Sequence, residues 1–322
     1  MRYYAHLNNH SFIPEEMLSN EYLDLAPNDS DKSYEELREQ EKLNFERISS
    51  DEYYEGQITK NLIIPFFSYL SSDVHEKLKD VVFGILVTRE INAFATKAPN
   101  DGAIIVLNNR LMKAFHYYAQ AIHTTNKEFV ADNSLIDIKF KDIAEKIVAY
   151  FYNEEMEFPF LTTHLKKEGV VVATLLCTAM EFFVILHEYA HIYLGHLDID
   201  PSTLTYEMKQ QRELEADILA FKWIYQVRDA CNSGIYLKHV LNMSPLSVEA
   251  FFVLGLVEIA RMARGEITLE GSHPLILDRL SNIMKKCEDN LSEYDKRSIE
   301  STFNTLLYYT KNLLEKNELN WD

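Results

Sequence analysis

The sequence predicts a mostly helical α+β fold, and three observations carry that prediction. Seven segments after residue 110 repeat apolar side chains at three- and four-residue spacing, the period of a helix with one buried face. Only two short runs read as strands, and they flank a turn of strong local chemistry. Apolar residues make up 47% of the 322 and aromatic residues 12%, enough to fill a core, which excludes a wholly disordered chain.

The elements follow in order. Residues 1–60 hold fourteen acidic and six basic side chains, −8 of the formal net charge of −18. Leu37, Leu43 and Ile48 stand among many charges there, as in a solvated amphipathic helix or an arm. The expected division is an acidic N-terminal arm or subdomain over 1–60 and one domain over 61–322. Ile91 to Thr96 and Ala103 to Leu107 are the two strands. Ala98-Pro99-Asn100-Asp101-Gly102 between them is turn chemistry, so they are expected to pair as a hairpin. Helices are expected over Leu111 to His123, Asp137 to Tyr152, Val171 to Leu194, Tyr206 to Val227, Leu246 to Ala263, Pro274 to Cys287 and Ser292 to Leu314. The most apolar run, Val170 to Leu186, is short for a membrane span and is interrupted by Glu181. It reads as a buried core helix, with no stable membrane insertion expected.

Charge and cysteine usage narrow the function. A surface at −18 repels nucleic-acid backbones and anionic lipid, and no Lys/Arg run offsets it, so no nucleic-acid partner is expected. Cys177, Cys231 and Cys287 lie more than 50 residues apart, too sparse for a disulfide framework or a thiolate metal site. The first residues lack the apolar run of a leader peptide. Together these features point to a cytoplasmic protein.

Three motifs carry chemistry. In His187-Glu188-Tyr189-Ala190-His191 a helix places the two imidazoles one turn apart, 40° apart in projection at about 100° per residue, with Glu188 leaning over the same site. Zn2+ suits that pair, since it takes imidazole and carboxylate and leaves a position for water. Arg212-Glu213-Leu214-Glu215-Ala216-Asp217 begins 21 residues after His191, beyond the turn at Asp200-Pro201-Ser202. Two antiparallel helices joined by that turn bring Glu213 to the open side of the histidine pair. Asp217, one turn on, can then accept a hydrogen bond from a ligand imidazole. His196 is one residue out of register for a third histidine ligand and reads as a helix C-terminal residue beside the Gly195 stop. In Ser272-His273-Pro274, a helix start explains the pattern. A histidine fixed there can equally face the cleft and donate to a developing oxyanion.

These three motifs, in this order, resemble a zincin metallopeptidase with a glutamate as third ligand. Asn92-Ala93-Phe94-Ala95 followed by Ile104 to Leu107 is similar to the hairpin of HtpX-like membrane metallopeptidases. A closer similarity is to the Lit family of bacterial phage-exclusion peptidases, over roughly residues 102–123 and 170–290. The resemblance implies a zincin-like fold with a small β-hairpin or sheet beside the HExxH helix. It implies a zinc endopeptidase, dormant until a phage-derived polypeptide triggers it, whose protein substrate is elongation factor Tu. Its implied roles are His187, His191 and Glu213 as metal ligands and Glu188 as general base. Asp217 would orient a ligand, and His273 would be a catalytic cleft histidine. The competing expectation is a catalytically idle zincin fold serving as a sensor or protein-binding module; the intact Glu188 argues against it.

Overall fold

A computed structural model describes residues 58–86, 91–98, 102–124, 140–152, 165–231, 235–263, 274, 276–288 and most of 291–307. Residues 1–57 of the acidic segment 1–60, the tip of the predicted hairpin at 99–101, His273 and the end of the last predicted helix at 308–314 lie outside the described residues. A π-helical turn, Thr59–Ile63, runs into α1 (Ile64–Phe67), and α2 (Ser72–Leu78) follows. Next come β1 (Val81–Leu86), β2 (Ala93–Lys97) and β3 (Ala103–Asn108). The helices α3 (Asn109–Thr124), α4 (Phe140–Tyr152), α5 (Lys167–Tyr193) and α6 (Tyr206–Ala230) come after. The last are α7 (Ile235–Asn242), α8 (Ser244–Ser247), α9 (Ala250–Ala263) and α10 (Ile276–Cys287). The described residues between 293 and 307 are also helical.

The predicted hairpin forms. β2 and β3 pair antiparallel from Ala93 opposite Leu107 to Lys97 opposite Ala103, so the connection spans the Pro-Asn-Asp-Gly segment. Ala103, Ile105 and Leu107 of β3 point into the core, while Ile104 and Val106 are half-covered on the other face. A third strand, not expected from the sequence, lies parallel to β3: β1 pairs from Val81 opposite Ala103 to Leu86 opposite Asn108. β3 is therefore central and β2 is an edge strand.

The axis of the fold is α5. Apolar on nearly every face, it is the kind of helix that must be surrounded. Its neighbours include α2, α3, α6, α7, α8, α9 and the sheet strands β2 and β3. By length and composition α5 would suffice to cross a membrane, but here its apolar stretch is almost wholly covered by protein. Phe182 meets Phe66 edge-on at 5.0 Å, and Phe183 meets Phe251 at 5.3 Å and Phe221 at 6.4 Å. Each such ring removed from water stabilises the fold by about 1.5–3 kcal/mol. α5 stops where expected. Gly195 takes a left-handed φ of 72°, and its N–H returns to the Ile192 carbonyl at 3.0 Å.

Short turns then reverse the chain. The Asp200 carboxylate accepts from the Ser202 N–H at 2.9 Å, and the Thr205 hydroxyl accepts from the Met208 N–H at 3.3 Å, capping α6 at the predicted start. One expected helix is interrupted: Leu246 to Ala263 divides into α8 and α9. Backbone bonds through Glu249, Phe251 and Phe252 close on the residue three positions back, a tighter winding that breaks the α-helical ladder at Val248 and Glu249.

Candidate metal centre

α5 and α6 run antiparallel, and the site is built where their facing residues pair in opposite order. His187 lies against Asp217, His191 against Glu213, and His196 against Arg212. His187 and His191, one turn apart on α5, bring their Nε2 atoms to 3.0 Å of each other. Glu213 faces both: Oε2 is 3.5 Å from His187 Nε2 and Oε1 is 3.4 Å from His191 Nε2. Among the described residues these three form the one group with ligand atoms close enough to share a metal ion.

The donor set fits zinc on geometry. Four bonds of 2.0–2.1 Å in a tetrahedron place donor atoms about 3.3–3.4 Å apart, close to the spacings seen. It also fits on charge. When each ring is neutral and carries its proton on Nδ1, two imidazole lone pairs and a carboxylate converge on one point, a donor set suited to a cation, which would take the place of any proton there. His187 is buried, while Glu213 and His191 keep 12% and 13% of their side chains exposed, so the centre opens on one side only.

The opposite ring nitrogens are also engaged. His187 Nδ1 lies 2.8 Å from Asp217 Oδ1, a close contact in which the N–H is not squarely aimed at the oxygen. Burial opposes a charge on His187, but the Asp217 and Glu213 carboxylates outweigh it and raise its pKa. Asp217 is fully buried and is gripped by Arg279, whose Nε and one terminal N–H donate to its two oxygens at 2.7 Å each. Burial raises the pKa of Asp217, but Arg279 and then His187 overcome that and hold the carboxylate ionised. His191 Nδ1 faces His196 Nδ1 at 2.9 Å. Burial first, then the charge of His187, lowers the pKa of His191. Burial and Arg212 lower that of His196.

The structure brings His187, His191, Glu213 and Asp217 together, and Glu188 is buried at the next position of the same helix. Glu215, two residues from Glu213, points elsewhere: its Oε2 is 3.5 Å from His196 Nε2. Two contributors carried no assigned role in the sequence. Arg279 lies 62 residues from its partner, beyond any local periodicity. Its signal was an arginine on the apolar stripe Ile276, Arg279, Leu280, Ile283 and Cys287, where a charge requires a counter-charge. His196, read as a helix-end residue, instead turns its ring onto a metal-site histidine.

A mostly helical fold with a small sheet beside an HExxH helix, and a carboxylate brought in by the next helix, defines an α+β metallopeptidase-like protein. The model of the Peptidase U49 family matches residues 108–299, more than half of the chain, and the chain belongs to that family. It is a peptidase, and its substrates are proteins or peptides. No curated protein and no solved structure matches the chain.

Proposed function

We propose that the chain is a zinc-dependent endopeptidase with His187, His191 and Glu213 as ligands and Glu188 as general base. The observation that carries this is the convergence of two Nε2 atoms and one carboxylate within 3.0–3.5 Å on a partly open site. Bound there, zinc would polarise the scissile carbonyl and acidify water toward neutral pH. The chain's own residues supply the rest. Glu188 takes a proton from the attacking water and returns it to the leaving amine. Asp217, locked by Arg279, fixes the ring of His187 so that Nε2 faces the site. β2, an edge strand packed beside α5, offers a substrate chain a place to add as a further strand. His273 is proposed as the donor to the oxyanion on the strength of the Lit resemblance alone.

The same resemblance supports a cytoplasmic enzyme of phage exclusion, dormant until a phage-derived polypeptide triggers it, with elongation factor Tu as target. Two measurements test these readings separately. Purified protein is expected to bind close to one equivalent of zinc. Glu188→Gln should keep that zinc and lose at least about 100-fold in cleavage, since Gln is nearly isosteric but takes no proton. Protein that takes up no zinc refutes the metal reading, and wild-type turnover in Glu188→Gln removes the base. In host lysate, one discrete fragment that appears only with phage proteins supports the triggered reading. Broad digestion of casein without any trigger refutes dormancy and leaves the metal centre untouched.

A further inference from the structure

We propose that His196 is a positioning residue of the metal centre, holding His191 by its Nδ1 atom; this rests on the zinc reading above. The ring of His196 does not join the ligand group, yet it meets the His191 ring edge-to-face. Its Nδ1 is 2.9 Å from His191 Nδ1, and the two ring centroids are 5.0 Å apart. The backbone explains how it arrives there. Gly195, at φ 72°, turns the chain sharply after the last residues of α5, so His196 folds back over the helix end instead of extending past it.

α6 then holds it in place. The Arg212 guanidinium donates to the His196 carbonyl at 3.0 Å, and Glu215 Oε2 lies 3.5 Å from its Nε2. Glu215 is steadied in turn by Gln211, whose side-chain N–H donates to its other oxygen at 2.8 Å. The segment that delivers the ligand Glu213 thus also delivers, on either side of it, the two residues that hold His196.

The hydrogen-bond logic allows one assignment. A ligand histidine that offers Nε2 to a metal carries its proton on Nδ1. His191 must therefore donate from Nδ1, and His196 Nδ1 must accept. The proton of a neutral His196 then sits on Nε2, the side that faces the Glu215 carboxylate. Glu215, His196 and His191 form a line that ends at the metal. The two ligand histidines are backed differently, His187 by an ionised carboxylate clamped by Arg279 and His191 by a neutral imidazole under a half-exposed glutamate.

The test uses full-length protein and zinc alone. Affinity is measured by chelator competition in wild type, His196→Phe and His196→Asn, alongside thermal unfolding of each metal-free protein. Phe keeps the ring volume and removes the acceptor. Asn places an amide oxygen near the former Nδ1. His196→Phe is expected to lose 10- to 100-fold in zinc affinity with little change in metal-free melting, and His196→Asn to regain most of it. Affinity in His196→Phe within twofold of wild type overturns the proposal. So does a loss that Asn does not restore and that tracks a lower melting temperature. Should His196→Phe fail to fold, histidine 15N spectra of the zinc-loaded wild type decide. A proton on Nε2 of His196 and on Nδ1 of His191 is expected; a proton on Nδ1 of His196 overturns the assignment. Wild-type protein that binds no zinc overturns the metal centre and this inference together.

Discussion

Replacing Arg279 with Met should cost more stability than any exposed charge in the fold, because of what it leaves behind. Arg279 makes two 2.7 Å hydrogen bonds to Asp217 and lies 4.0 Å from Glu213 Oε2, with 10% of its side chain exposed and none of Asp217's. Met fills much of the same volume against Phe251, whose ring the guanidinium covers at 5.0 Å. The loss is therefore mainly electrostatic: a carboxylate in the core without its counter-charge, worth about 3–5 kcal/mol. At about 2.1 cal/mol/K of unfolding entropy per residue, a chain of this size loses about 1.5 °C per kcal/mol, so the melting temperature should fall by about 4–8 °C. The assay is urea unfolding of metal-free protein, with Asp217→Leu and the double variant completing a cycle. Removing the stranded charge as well should recover at least about 1 kcal/mol relative to Arg279→Met alone, since a buried pair replaced by apolar groups is often near neutral. A single variant within about 1 kcal/mol of wild type, or a double variant that loses the sum of both, would show that Arg279 does not neutralise a stranded charge.

Further outcomes follow from the same contacts. His187→Ala, His191→Ala and Glu213→Ala should each abolish tight zinc binding while Glu215→Ala retains it; equilibrium dialysis that shows Glu215 essential and Glu213 dispensable would reverse the choice of glutamate. Gly195→Ala should destabilise the protein by about 1–2 kcal/mol in thermal unfolding, because a Cβ is strained at φ 72° and would sit 3.1 Å from Asp198 Oδ2. An unchanged melting temperature would show that the turn relaxes freely. His273→Ala should slow turnover about 100-fold with little effect on KM if that histidine donates to the oxyanion, and should change only stability if it merely starts a helix.

Features that short-range physics encodes could be read from the residues alone. Helical period places His187 and His191 on one face whatever surrounds them. Asp200, Thr205 and Gly195 are turn and cap residues whose effect is complete within a few positions. Pro99 to Gly102 marks the hairpin, and the long apolar run, interrupted only by Glu181, marks α5 as the buried axis. Even Glu213 and Asp217 were legible, because a short connection leaves two long helices little choice but to run antiparallel.

Other features depend on packing between segments distant in the chain. β1 is a short apolar run whose strand character depends on pairing in parallel with β3, and a parallel partner brings no connecting turn to announce it. The break between α8 and α9 lies inside an apolar period that reads as continuous. Glu213 and Glu215 differ by 200° around α6 at about 100° per residue, so the rotation of that helix against α5 sends one to the His187–His191 pair and the other to His196. Arg279 meets Asp217 from a helix 62 residues further along the chain. A charge in an apolar stripe states that a partner is needed. Which partner it finds depends on how three helices pack, and that is set by the whole core.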